Sequence, residues 1–184
     1  NGSSGEGPSL TIDERMAVAE RWVAAAPADV PVIVHVGHTC LAECRRMTAH
    51  AAAIGARGVG MAAPYYFRPA TVADLVDWSA RVASAAPDLP FYFYHIPALT
   101  GVSFPMRDFL ERAAGRIPNL AGIKYTHEDL DDYEQCIAFD GGRFDTPGQV
   151  AGYIGLAPRV RQSGEMRRDG PIVRTGRASV RALL

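Results

Sequence analysis

Ala121-Gly122-Ile123-Lys124-Tyr125-Thr126 is an apolar, strand-like run that follows Pro118 and holds the only lysine of the chain. The rest of the 19 basic side chains are all arginine. Arginine cannot replace a lysine whose task is to lose its proton and attack a carbonyl, because the guanidinium stays charged. A lysine desolvated on a strand has its pKa pulled down, as an imine-forming amine requires. The alternative is a surface lysine in an arginine-biased sequence, and these six residues alone leave both readings open.

Three runs upstream share the strand character. Val30-Pro31-Val32-Ile33-Val34-His35-Val36 is β-branched after a proline and reads as a buried parallel strand, apolar on both faces. Gly58-Val59-Gly60-Met61-Ala62-Ala63 is stopped by Pro64, and Pro90-Phe91-Tyr92-Phe93-Tyr94-His95-Ile96 is ended by Pro97. Helical patterns separate the runs. Thr11 and Glu14 form a Thr-x-x-Glu capping box that opens a helix to about Ala26. Further helices are predicted from about Cys40 to Ile54, from Thr71 to about Ala86, from Phe104 to Ala114, and from about Asp129 to Phe139.

Strand and helix thus alternate at intervals of about 30 residues, the rhythm of βα units with right-handed crossovers. A (β/α)8 barrel and a doubly wound sheet both fit it. No Gly-x-Gly-x-x-Gly follows any of the strands, which weakens the dinucleotide-binding option. In a barrel, chemistry sits at the C-terminal strand ends. Those ends carry His35 and His38, Pro64-Tyr65-Tyr66, Tyr94-His95, and Lys124-Tyr125-Thr126. A lysine and several tyrosines at one mouth suit carbonyl chemistry.

The 184 residues fit one domain of ordinary size, and 48% hydrophobic content can build its core. A net charge of −1 provides no global field for nucleic acid or a membrane surface. That neutrality hides a split: residues 1–145 hold 12 basic and 18 acidic side chains, residues 146–184 hold 7 and 2. Three cysteines, Cys40, Cys44 and Cys136, make no paired framework and suggest a reducing compartment, the cytoplasm. No apolar run approaches a membrane span, and the start has no signal-peptide pattern. Opening directly on Asn1-Gly2-Ser3-Ser4-Gly5-Glu6-Gly7, the chain reads as something cut from a longer protein. His35, His38, Cys40 and Cys44 follow no standard zinc spacing, so packing is the expected role of those four residues.

The Gly2-Ser3-Ser4-Gly5-Glu6 loop, the Tyr94-His95-Ile96-Pro97-Ala98-Leu99-Thr100-Gly101 segment and Gly122-Ile123-Lys124-Tyr125-Thr126 occur in the order and places of a known family. Residues 1–145 resemble the N-acetylneuraminate lyases, pyruvate-dependent class I aldolases related to dihydrodipicolinate synthase. The resemblance implies a (β/α)8 barrel, here reduced to about strands three to six, and a homotetramer in the intact family. It implies cleavage of sialic acid to N-acetylmannosamine and pyruvate through an imine on Lys124. No metal or other cofactor is implied, because the protonated imine is the electron sink. Ser3 and Ser4 would hold the pyruvyl carboxylate, and Tyr94 would shuttle the proton. Tyr66 falls where relatives place an aromatic that reaches a neighbouring subunit's site, and Thr126 is a candidate ligand for a sugar hydroxyl. Leu99 stands where dihydrodipicolinate synthases carry an arginine, which favours the lyases over another pyruvate aldolase.

The family pattern departs at both ends. Its first two strands would precede Gly2, and the strand-seven Gly-x-Asp-Glu segment that binds the sugar's hydroxyl tail has no counterpart after Asp145. Impaired cleavage is therefore expected. Residues 146–184, beginning Thr146-Pro147-Gly148-Gln149 and including Gln162-Ser163-Gly164-Glu165, resemble the C-terminal domain of insertion-sequence transposases that also carry a DEDD nuclease domain. Ser163 would match that family's candidate nucleophile. The DEDD domain has no counterpart here, so a basic tail with weak nucleic-acid contact is the most that is expected. The tail is predicted to form at most short helices. The join at Arg143-Phe144-Asp145 fits either partner, as a chance fusion or an assembly error would.

Overall fold

The computed structural model describes residues 1–139, 158–163 and 166–172. They fall into two compact units, Asn1–Gly152 and Tyr153–Leu184. In the first, helices α1 (Ile12–Ala25), α2 (Leu41–Ala53), α3 (Val72–Ala83), α4 (Pro97–Thr100), α5 (Met106–Ala113) and α6 (Leu130–Ile137) alternate with strands β1 (Ile33–His35), β2 (Gly58–Ala62), β3 (Phe91–His95) and β4 (Leu120–Tyr125). The four strands form one parallel sheet in sequential order.

Local sequence accounts for the helix starts. Thr11 Oγ1 accepts from the Glu14 amide while the Glu14 carboxylate accepts from the Thr11 amide, and Thr71 with Asp74 repeats the device at α3. Helix α5 has no cap of its own beside Pro105. Its first amides, of Met106 and Arg107, donate to the two carboxylate oxygens of Asp132, at 2.9 and 3.1 Å. The short helix α4, not foreseen from the sequence, begins at Pro97 and ends at Gly101 with φ 65°. The positive φ is what favours glycine there, because the nearest group to an added Cβ is the guanidinium end of the exposed Arg68, which can move aside.

Successive helices pack in chain order, α1 on α2, α2 on α3, α3 on α5 and α5 on α6. Sequential strands with sequentially packed helices make a sector of a (β/α)8 barrel; a doubly wound sheet would reverse its strand order at a switch point. Phe91, Phe93, Phe109, Met61, Leu75 and Ile117 are shut from solvent in the core, with the Phe93 and Phe109 rings stacked at 4.6 Å. Strand β1 is shorter and less covered than its apolar sequence predicts. It borders the sheet among the described strands, and Ile33 remains 39% exposed.

One irregularity sets the geometry of the mouth. Phe91 pairs with Leu120 but Tyr92 pairs with Gly122, so Ala121 is an extra residue in β4. From that bulge onward β4 is advanced by one, and Lys124 rather than Ile123 stands opposite Tyr94.

In the second unit, β5 (Pro158–Ser163) and β6 (Met166–Ile172) pair antiparallel, Ser163 opposite Met166. This corrects the expectation of short helices. The signal in the sequence was Gly164-Glu165 between the two runs, since a two-residue connection led by glycine favours a hairpin.

Candidate active site

The site forms where the strands end. The N-terminal loop turns back over the sheet, held by the Gly7 amide donating to Gly2 O at 3.0 Å and the Glu6 amide to Ser3 O at 3.1 Å. Glu6 adopts φ 50°, a left-handed conformation uncommon for a side chain of this kind. The turn brings Ser3 Oγ within 3.1 Å of Tyr94 Oη. Lys124, half-buried on the adjacent strand, holds its Nζ 4.0 Å from the centroid of the Tyr94 ring. A cation above an aromatic face is favourable, so this packing both places the ammonium and keeps it beside the phenol.

A cavity of about 280 Å³ opens at this mouth, with Ser3, His35, Tyr65, Tyr94, Ile96 and Leu99 among its lining residues. None of the lining side chains is acidic. The Ser3 and Tyr94 hydroxyls on an otherwise largely apolar wall suit a small polar ligand, and Lys124, which is not part of that wall, adjoins it through the Tyr94 ring.

Ser3, Tyr94 and Lys124 are therefore brought together. Three other candidates are not gathered around them. Ser4 is exposed and absent from the cavity wall. Tyr66 is 75% exposed, its ring edge-on to Phe67 at 4.9 Å. Thr126 lies just past the end of β4, where its hydroxyl donates to His95 O at 2.8 Å and its amide to the same oxygen at 3.0 Å. That hydroxyl retains acceptor capacity but its proton is committed.

Arg15, which the sequence did not single out, enters the site together with His35, which the sequence placed at a strand end and expected to serve packing. Arg15, on the buried stripe of α1 with Ala19, is 3% exposed and has no carboxylate partner among the described residues. Its Nη1 donates to Gly37 O at 3.1 Å and its Nη2 to His35 O at 2.9 Å, tying α1 to the end of β1. The His35 ring meets Tyr94 edge-on, centroids 6.2 Å apart. Burial, followed by the positive charges of Arg15, the terminal amine and Lys124, pushes its pKa down to about 3. The signal for Arg15 was its i,i+4 spacing with Ala19 on an otherwise apolar stripe.

His38 and its neighbours serve local packing. His38 Nδ1 accepts from the Cys40 amide at 3.0 Å, and Cys44 Sγ donates to His38 O at 3.3 Å. No group of three His, Cys, Asp or Glu among the described residues is arranged to hold a metal ion. No helix among them is long and apolar enough to cross a membrane.

Known proteins resemble this arrangement. The sequence profile of the dihydrodipicolinate synthetase family matches residues 1–144, and that of the transposase IS116/IS110/IS902 family matches residues 136–184. N-acetylneuraminate lyase of Pongo abelii is 45% identical over 138 residues, 74% of this chain and 43% of its own length. Among solved structures, N-acetylneuraminate lyase from Aliivibrio salmonicida is 39% identical with a TM-score of 0.75, over 79% of this chain and 48% of that one. Dihydrodipicolinate synthase from Acinetobacter baumannii, solved with pyruvate, is 29% identical with a TM-score of 0.70, over 78% and 48%. The chain spans less than half the length of these relatives.

Proposed function

The chain belongs to the dihydrodipicolinate synthetase family, and on that premise we propose that residues 1–145 carry the pyruvate-handling half of a class I aldolase of the N-acetylneuraminate lyase type. The observation that supports this most is the line Lys124 Nζ, Tyr94 ring, Tyr94 Oη, Ser3 Oγ, with its 4.0 and 3.1 Å contacts. The pyruvate present in the Acinetobacter relative fits the same chemistry.

In this reading, neutral Lys124 attacks the C2 carbonyl of the open-chain keto acid, and loss of water gives the imine. Tyr94 takes the proton of the C4 hydroxyl as its own phenolic proton passes to the neighbouring substrate carboxylate, the C3–C4 bond breaks, and its electron pair passes into the protonated imine to give an enamine. N-acetylmannosamine leaves as the aldehyde. Protonation at C3 and hydrolysis then release pyruvate and the free amine. Ser3 orients the Tyr94 hydroxyl and, with Ser4 and the loop amides, holds the carboxylate. Tyr66 projects outward to serve a neighbouring subunit in an oligomer, and Thr126 accepts from a sugar hydroxyl.

The sugar tail lacks the acidic partners that the family's seventh strand supplies. Each lost buried hydrogen bond costs about 1–3 kcal/mol, so cleavage falls by roughly 10²–10⁴ against an intact relative. Pyruvate release from N-acetylneuraminate, measured beside such a relative, tests this. Turnover at the relative's full rate would contradict the part assigned to the missing partners. Leu99, where an arginine would grip a second carboxylate, favours sialic acid over the substrate of a synthase-like reaction.

A second reading attaches to residues 146–184, a basic segment within the transposase match, whose excess of arginine supports weak nucleic-acid contact. A DNA mobility shift that weakens as salt rises is expected. Binding insensitive to salt, or none at low salt, would refute it.

A further inference from the structure

Strand β1 borders the sheet among the described strands, and its outer edge is served by a side chain. The even-numbered residues of this segment bond inward to β2: the Val36 amide donates to Gly60 O at 2.8 Å, and Val32 O accepts from the Arg57 amide at 2.9 Å. Successive residues of a strand turn their backbone groups to opposite sides, so the His35 and Gly37 carbonyls face away from β2, where a further strand would otherwise supply donors. Both accept from Arg15 instead. Nη2 donates to His35 O at 2.9 Å and Nη1 to Gly37 O at 3.1 Å, and Nη2 also lies 3.4 Å from His35 Nδ1. The planar fork of a guanidinium spans two such acceptors, which a point ammonium does not. No carboxylate among the described residues competes for it.

These bonds hold part of the cavity wall, since Gly2, Ser3, His35 and Gly37 are among its lining residues. Gly2 rests against the His35 ring, where an added Cβ would lie 3.8 Å from Cγ. Gly2 O accepts from the Gly7 amide and Ser3 O from the Glu6 amide, so the turn that brings Ser3 Oγ to Tyr94 Oη is seated on the end of β1. The main chain of Arg15 grips the same loop, its carbonyl accepting from Asn1 Nδ2 at 2.7 Å. We propose that Arg15 is a positioning residue for keto-acid binding: its guanidinium stands in for a neighbouring strand at the edge of β1, and so fixes the His35–Gly37 wall and the Ser3 loop that rests on it. Arg15 touches no substrate and acts through Ser3. The proposal rests on the aldolase reading of this cavity.

The test is borohydride trapping of pyruvate on the whole chain, with each variant's fold checked by its denaturant midpoint. Arg15→Met keeps an apolar stem and removes the donors. The pyruvate concentration for half-maximal trapping should rise about 10-fold, the weight of one hydrogen bond to the ligand lost through misplacement. The yield at saturation should be kept, because Lys124 stands on β4 and is placed by its register with β3. Arg15→Lys keeps the charge but not the fork, and should fall between Arg15→Met and wild type. A residue that only supports the fold would move the denaturant midpoint and the saturating yield together and leave half-saturation of the folded fraction unchanged. Action through Ser3 is read from a double-variant cycle. Once Ser3→Ala has removed the hydroxyl, Arg15→Met should add about twofold or less. Two effects that multiply in full overturn the proposal, as does wild-type half-saturation in folded Arg15→Met. Should Arg15→Met not fold, Arg15→Lys decides, and half-saturation equal to wild type overturns the proposal there. A wild-type chain that never labels with pyruvate defeats the aldolase reading and this proposal with it. Normal labelling of wild type beside variants that bind equally well defeats this proposal alone.

Discussion

Lys124 and Tyr94 are register partners across β4 and β3, and the lysine Nζ rests 4.0 Å from the centre of the tyrosine ring. The pairing depends on the extra residue Ala121, because without that bulge Ile123 would occupy the position beside Tyr94. The ring provides the lysine with an aromatic face, and the hydroxyl on the same ring reaches Ser3 at 3.1 Å. Two functions of one tyrosine can therefore be separated.

Tyr94→Phe removes the hydroxyl and leaves the ring under Lys124. Imine formation with pyruvate should persist, whereas carbon–carbon cleavage should drop by about 10²–10⁴, the usual weight of a proton-transfer group. Trapping yield and pyruvate release measured on one preparation check the split. Ser3→Ala should lower cleavage more mildly and, because Ser3 also holds the carboxylate, should raise the pyruvate concentration needed for trapping.

Asp132 acts as a cap supplied from a distant part of the chain. Only 7% exposed, it accepts from the amides of Met106 and Arg107 and from the Tyr125 hydroxyl, the last at 3.0 Å. Asp132→Ala leaves the Met106 and Arg107 amides without their acceptor, while the Tyr125 hydroxyl keeps Asp129 O at 2.8 Å, and should destabilise the protein by about 2 kcal/mol. Asp132→Asn keeps one acceptor oxygen and should cost less. Denaturant midpoints of the two variants, with m-values unchanged, check the order.

Acid should weaken the fold through two neutral histidines. His35 is pushed down to about 3, and His95 to about 4 by burial and then by its neighbour His127. Unfolding restores ordinary histidine pKa values near 6.5, so below that pH the unfolded chain binds more protons than the folded one. Their contribution is fully present above about pH 6.5 and is lost as pH falls towards 4 and then 3. Each histidine contributes a slope of up to about 1.4 kcal/mol per pH unit in that window. Unfolding free energies measured from pH 7.5 to pH 4.5, a range of about three units, should show the decline, and His95→Gln should flatten it. A stability that rises on acidification would contradict the assignment.

Much of the fold could be read from periodicity. The four apolar runs are the four strands, both capping boxes start helices, and Tyr94 and Lys124 share one mouth. These features are local or repeat at fixed spacing. The rest depends on partners far apart in the chain. Asp132 caps a helix 26 residues away, and Arg15 reaches His35 across 20 residues. The bulge at Ala121 is a matter of register, which no single strand encodes, and short α4 is set by Pro97 and Gly101 between two longer elements. The sequence did mark His35 as lying at a strand end. That its carbonyl anchors Arg15 is visible only in the fold.

The central claim, that Lys124 is the imine-forming residue, is tested most directly by reductive trapping. The protein is incubated with pyruvate and borohydride, and the product is mapped by mass spectrometry. The account predicts one added pyruvyl group, on Lys124, and none in Lys124→Arg. Labelling that persists in Lys124→Arg, or that maps to the terminal amine instead, would contradict it.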